Sequence, residues 1–173
     1  IVLKNNEFLD YVKGLVYKSS SKSNKFNLSL KQHDGSILLL DFGLGGIHSK
    51  DEPLVLHSNK EYAIIDIDVA SFYPNIMLNN RICPAHLDRD RFLSILKNIT
   101  KERIEAKKAK DVVRADSLKI FKNSIYGKLG SIHYWLFDKK AMYSVTVSGQ
   151  LYILMLIEII LEYKVKVISA NTD

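Results

Sequence analysis

A mixed α/β fold of the α+β type, an antiparallel sheet with a helical hairpin projecting from it, is predicted for this 173-residue chain by three observations. Apolar runs rich in Ile, Val and Leu stand at residues 36–41, 61–69 and 164–169, with the partial alternation of strands. Two long helical patterns, 88–110 and 112–129, lie between the second and third runs and are joined by a turn at Lys110-Asp111. The composition, 47% hydrophobic and 25% charged, is that of a globular chain able to bury a core. The length suits one domain with a projecting subdomain better than two full domains.

In chain order, residues 7–18 form a short helix, and the Ser/Lys/Asn run at 19–27 reads as a loop. Nothing in the first 35 residues indicates chemistry. The strand at 36–41 is followed by Gly43-Leu44-Gly45-Gly46 and a strand that resumes at Ile47. Residues 71–79 make a short helix after the 61–69 run. The two hairpin helices each reach about 30 Å at the usual rise per residue. A last helix over 139–163 is apolar around most of its circumference, which predicts burial against the sheet.

The formal net charge is +6, and its position is informative. Between Lys97 and Lys128 there are ten basic residues against four acidic ones, so the hairpin carries the whole excess. One cysteine, Cys83, excludes an internal disulfide and a cysteine-rich zinc site. The apolar stretch 151–161 contains Glu158 and is shorter than the roughly 20 residues a bilayer span needs, so no membrane partner is expected. The chain opens on Ile1 and closes on Asp173 after an apolar run, and is expected to be a piece of a longer polypeptide.

Three constellations can carry chemistry. In Ile64-Ile65-Asp66-Ile67-Asp68-Val69-Ala70-Ser71-Phe72-Tyr73-Pro74, a β-branched run presents carboxylates before a turn into a helix. Carboxylate oxygens suit Mg²⁺, which takes one or two from a protein and completes its shell with water and phosphate. The same residues also read as solvated strand-end acids, with Ser71 as a helix N-cap. In Lys119-Ile120-Phe121-Lys122-Asn123-Ser124-Ile125-Tyr126-Gly127, residues 119, 123 and 126 share one helix face. That face presents a cation, an amide and a phenol together, and Arg103 and Lys107, one turn apart on the preceding helix, can aim at the same space; a solvated basic face with a snorkelling tyrosine is the other reading. The third constellation is Asn171-Thr172-Asp173, again a carboxylate at the end of an apolar run. The histidines have no ligand-like spacing and read as surface or packing residues. Trp135, Tyr134 and Phe137 read as core or as a contact between subdomains.

The order of these pieces resembles the family B DNA polymerases. Asp68 to Ile76 is similar to motif A, D-x-x-S-L-Y-P-S-I; Lys119 to Gly127 matches every fixed position of motif B, K-x-x-x-N-S-x-Y-G; and Asn171-Thr172-Asp173 resembles the D-T-D of motif C. The short fingers and the Gly-Gly element are closest in style to phage, plasmid or protein-primed members, and the resemblance spans about residues 42–173. It implies an antiparallel-sheet palm with a helical-hairpin fingers subdomain. Residues 1–87 would be the N-terminal segment and first part of the palm, 88–129 the fingers, and 130–173 the second part of the palm.

The resemblance implies that Asp68 and Asp173 are catalytic and, with the Val69 backbone carbonyl, hold two Mg²⁺ ions, for which Mn²⁺ can substitute. Ser71, Phe72, Tyr73, Arg103, Lys107, Lys119 and Asn123 would bind the dNTP, Tyr73 acting as steric gate against a ribose 2′-hydroxyl. Tyr126 and Gly127 would sit by the nascent base pair, and Gly45, Gly46, Lys108 and Lys128 would touch DNA. Two departures stand out: Asn171 replaces the first aspartate of motif C, and Gly43 opens the Gly43-Leu44-Gly45-Gly46 element where relatives have the aromatic residue of Y-x-G-G. A tight turn is the alternative role for Gly45 and Gly46.

The implied reaction is attack of a primer 3′-hydroxyl on the α-phosphate of a dNTP, with release of pyrophosphate. Two metals would activate the hydroxyl and neutralise the triphosphate, and fingers cations would stabilise developing charge. Implied partners are a DNA primer-template, dNTP, and exonuclease and thumb regions of the same polypeptide. The setting is the cytoplasm of a bacterial or phage-infected cell, or an organelle for a plasmid-encoded member. The rival is a non-catalytic nucleic-acid or nucleotide-binding module derived from a polymerase palm, which Asn171 keeps open.

Overall fold

The computed structural model describes residues 4–17 and 26–172. It divides into two compact units, residues 1–70 with 150–173, and residues 71–149. Among the described residues, five helices and a three-stranded antiparallel sheet give a mixed α/β fold.

The first unit is built on β1 (Phe26–Lys31), β2 (Ile37–Phe42) and β3 (Ile47–Ser49), paired in the order β1-β2-β3. Leu28 faces Leu40 across the first ladder, and Leu40 faces Ser49 across the second. The β1–β2 turn closes through Gln32 N–H to Ser36 O (2.9 Å), with Gly35 at φ 85°, where a side chain is disfavoured. Alternation buries Leu28, Leu38, Leu40, Phe42 and Ile47 on one face and leaves Ile37 and Leu39 exposed on the other. Two elements cover the buried face: α1 (Asn6–Tyr17), through Phe8, and the second half of α5 (Lys139–Glu162), through Leu154 and Ile157. Phe8 meets Phe42 with ring centres 4.5 Å apart, so the N-terminal helix belongs to the core.

Several sequence expectations change here. Phe26 and Asn27, expected in a loop, open β1. Residues 61–69 form no strand: they lie in irregular structure, and every residue from 50 to 70 is exposed. β-propensity measures fit to a half-buried pleated surface, and this run pairs with no described strand. Residues 164–169 are likewise not a ladder strand. The buried side chain of Gln32 takes the place of a partner strand there, accepting from Val167 N–H (2.8 Å) and donating to Val167 O (3.1 Å). Further along, Ser49 N–H donates to Ala170 O (3.0 Å) and Thr172 N–H to Ile47 O (3.1 Å), around an antiparallel bridge between His48 and Asn171.

The second unit contains α2 (Phe72–Asn79), α3 (Arg89–Lys108), α4 (Val112–Leu129) and the first half of α5. Aspartates start the two hairpin helices: Asp88 accepts from Arg91 N–H (2.7 Å) and Asp111 from Arg114 N–H (3.1 Å). The hairpin turn is a Schellman closure, with Asp111 N–H bonded to Ala106 O (2.9 Å), Lys110 N–H to Lys107 O (3.1 Å), and Lys110 left-handed at φ 58°. The helices run antiparallel, and Arg114 pairs with Glu102 across them at 3.0 Å. Met77, Leu96, Ile125, Leu129, Leu136 and Val145 form the core. Trp135, expected in the core or at a subdomain contact, is 71% exposed.

By length and composition alone α5, with 24 residues, would suit a membrane span. Its inward residues are consumed by the two cores, and it buries polar Thr146 and Gln150, each hydrogen-bonded. Those partners satisfy the Thr146 hydroxyl and the Gln150 amide nitrogen, as buried polar groups require, whereas Gln150 Oε1 is buried without a described partner.

Candidate functional site

Ser71, the residue before α2, adopts a left-handed backbone at φ 59°, ψ 47°. For a side chain other than glycine this conformation costs about 1–2 kcal/mol, so something must hold it. Its hydroxyl does not cap the helix. Instead it accepts hydrogen bonds from Lys122 Nζ on α4 and from Arg103 Nη1 on α3 (3.3 Å).

Lys122 is 1% exposed, the most deeply buried cation described. Burial, reinforced by Arg103 and Lys107, lowers its pKa to about 8. Lys107 is exposed on the same side of α3, one turn beyond Arg103. The Arg103 Nε is buried with no hydrogen-bond partner. Among the described ion pairs none includes Arg103, Lys107 or Lys122. Two cations therefore meet at one hydroxyl, a third acts on Lys122 electrostatically, and no carboxylate pairs with any of them among the described ion pairs.

Beside this cluster, the Tyr73 and Tyr126 rings approach to 4.2 Å. The Tyr126 hydroxyl is 2.8 Å from Thr146 Oγ1, and burial pushes its pKa up. Phe72 stacks on Tyr73 at 5.8 Å, and a Cβ at Gly149 would stand 3.2 Å from both rings, so glycine lets α5 approach α2 closely here. Tyr73 and Tyr126, far apart in the sequence, are thus neighbours.

Other expected site residues lie elsewhere. Lys119 and Asn123 are exposed and line a shallow depression along α4 with Asp116 and Ile120. The inward face of α4 carries Ala115, Lys122, Ile125 and Leu129, so residues 119 and 123 point away from it. Gly127 and Lys108 are exposed, and Lys128 lies 5.1 Å from the centre of the Tyr134 ring. Gly43 and Gly46 close a turn through Gly43 N–H to Gly46 O (2.9 Å). Buried Gln150 clamps that turn, its Nε2 donating to Gly43 O (2.7 Å) and Gly46 O (2.9 Å). Gly45 is exposed within it.

For a metal, Asp66, Asp68 and Val69 lie in the exposed 50–70 segment of the first unit, and neither carboxylate makes an ion pair among the described residues. Uncommitted carboxylate oxygens are donors of the kind Mg²⁺ accepts. Asp173 lies outside the described residues. Thr172 before it is buried and accepts from Ile47 N–H (2.9 Å), while the Asn171 side chain donates to Ser169 Oγ (3.0 Å). Among the described residues no group of three or more His, Cys, Asp or Glu is placed to hold a metal ion.

Sequence reasoning missed Lys122 and Gln150. A lysine within a basic run reads as solvated, and only the phase of its apolar neighbours Leu118, Ile125 and Leu129 marks its face as inward. Comparison with protein-family models, with curated proteins and with solved structures gave no match.

Proposed function

We propose that this chain is the palm-and-fingers part of a DNA polymerase of the family B type, carried in a polypeptide that also holds exonuclease and thumb regions. The observation that carries this reading is the meeting of three distant sequence elements: Ser71 of the motif A turn, Arg103 of the hairpin and Lys122 of the motif B helix. A nucleotidyl transferase needs fixed cations around a triphosphate and an aromatic wall beside its sugar and base. The cation cluster and the Tyr73–Tyr126 pair supply both kinds of group.

In this reading Arg103 and Lys107 bind and orient the triphosphate, and the Arg103 charge, held by Ser71 and partly removed from water, favours the transition state. Tyr73 limits the space at the sugar, and Tyr126, held by Thr146, supports it. Lys119 and Asn123, on the exposed face of α4, meet the substrate when the hairpin takes up nucleotide. Asp68, the Val69 carbonyl and Asp173 would hold Mg²⁺, which supplies charge neutralisation at the reacting phosphates. The basic hairpin, Lys108 and Lys128 included, attracts the DNA phosphates.

Primer extension by the complete polypeptide tests the proposal. Template-directed elongation that falls by at least about a thousandfold in Asp68→Ala is the expected result, the size anticipated for loss of a group acting on the transition state. A second reading, a nucleic-acid or nucleotide-binding module without catalysis, is favoured by one feature: Asn171 offers an amide where the family has a carboxylate. A protein that retards DNA in a gel and never lengthens a primer would establish that reading instead.

A further inference from the structure

The cluster around Ser71 contains more than the polymerase resemblance assigns. Lys122 occupies a variable position of motif B, and the motif's fixed lysine, Lys119, is exposed on another face of α4. Lys122 has three donor hydrogens and one described acceptor, the Ser71 hydroxyl. Arg103 spends one bond on that same oxygen and keeps a buried Nε without a partner. An unbalanced buried cation is expensive, and two more cations nearby raise the penalty. An acceptor-rich anion would satisfy the spare donors and balance the charge together, as phosphate oxygens do.

We propose that Ser71, Arg103, Lys107 and Lys122 form a phosphate-binding cluster whose occupation is coupled to proton uptake by Lys122. This rests on the polymerase reading only in taking the phosphate to belong to a nucleotide or to pyrophosphate. The groups facing Lys122 are Ser71 before α2 and Arg103 and Lys107 on α3, and both charged ones oppose its protonation. Without an anion, desolvation and these two cations favour the neutral amine near and above pH 8. A phosphate placed among them reverses the local potential, so the ammonium form is restored and one proton is drawn from solvent. Affinity then falls as pH rises past 8, because the proton must be taken up against a falling proton concentration.

Calorimetric titration of the whole chain with inorganic pyrophosphate, in buffers of different ionisation enthalpy, tests this. Lys122→Met is expected to weaken binding at least tenfold, and Lys60→Ala, an exposed lysine outside the hairpin, to leave it within about twofold. Lys122→Arg keeps a permanent charge; between pH 7 and 9 wild-type affinity should fall about tenfold further than that of this variant, as a group titrating near 8 requires. The titration of pyrophosphate itself is common to both proteins and cancels. Absence of binding, wild-type affinity in Lys122→Met, or equal pH dependence in wild type and Lys122→Arg overturns the proposal. Should Lys122→Met fail to fold, Lys107→Ala, an exposed change, must weaken binding at least threefold, and binding to the wild type must take up protons from buffer at pH 8; failure of either overturns it. Template-directed elongation by the complete polypeptide alongside any of these negative results would leave the polymerase reading standing and remove this inference alone.

Discussion

Lys122 is buried where a positive charge is hardest to keep, and its lowered pKa makes it a reporter on the folded state as well as on ligands. From about pH 8 up to the ordinary lysine range, the unfolded chain retains a proton that the folded chain has lost. Stability from this group therefore rises with pH in that window, the sign opposite to that of a lysine in an ion pair. Lys122→Met removes the titration. We expect wild type to gain stability relative to the variant between pH 7 and 10, measured by urea midpoints; parallel pH profiles would show that the amine titrates as it does in water. Tyr73 makes a separate case. Its ring is held between Phe72 and Tyr126, a fixed wall rather than a free side chain. Tyr73→Ala in the complete polypeptide should raise ribonucleotide incorporation relative to deoxyribonucleotide at least tenfold, since the 2′-hydroxyl is the group that separates the two sugars. An unchanged ratio in an active enzyme would mean that the ring serves only the packing of α2.

Among the elements, three helices end in the same way without glycine. Arg81, Lys110 and Lys164 stand at φ 52°, 58° and 57° after α2, α3 and α5. Each closes two backbone bonds of the Schellman pattern: Ile82 N–H to Met77 O, Asp111 N–H to Ala106 O and Val165 N–H to Ile160 O are the outer ones. A left-handed non-glycine residue is strained by about 1–2 kcal/mol, and glycine loses roughly 0.5–1 kcal/mol more chain entropy on folding. Lys110→Gly should accordingly stabilise the protein by about 0.5–1 kcal/mol, read from thermal or urea unfolding, and a lower midpoint would contradict the strain. These endings were hard to read because the usual signal is glycine, and here the backbone bonds impose the conformation on cations. The helix starts were legible, since Asp88 and Asp111 are local signals set just ahead of apolar periodicity. β1 was missed although Phe26, Leu28 and Leu30 alternate before Asp34-Gly35, a pairing that marks hairpins; the polar run ahead of it masked the alternation. Residues 61–69 were misread for the reverse reason, being strand-like in residue type while strand formation depends on a partner. The anion cluster joins residues 71, 103 and 122, and only tertiary packing could reveal it.

For the molecule as a whole, order is unevenly distributed. Each unit has its own core, while residues 50–70 are exposed throughout and form few described backbone bonds. Local opening is easiest where buried apolar contacts are fewest. A protease of broad specificity should cut within 50–70 before it cuts the hairpin, and first cleavage between residues 88 and 130 would refute that order. The hairpin carries the excess positive charge, so on the polymerase proposal any attraction to DNA should weaken steeply with salt. The exposed segment brings a consequence of another kind. Ile64, Ile65, Ile67 and Val69 stand in water on backbone that belongs to no described strand, the combination that invites edge-to-edge pairing between copies. What limits the isolated chain in the test tube is then colloidal: it would cloud with rising concentration well below its melting temperature, and a single lysine at position 65 would keep it clear without making the fold any firmer.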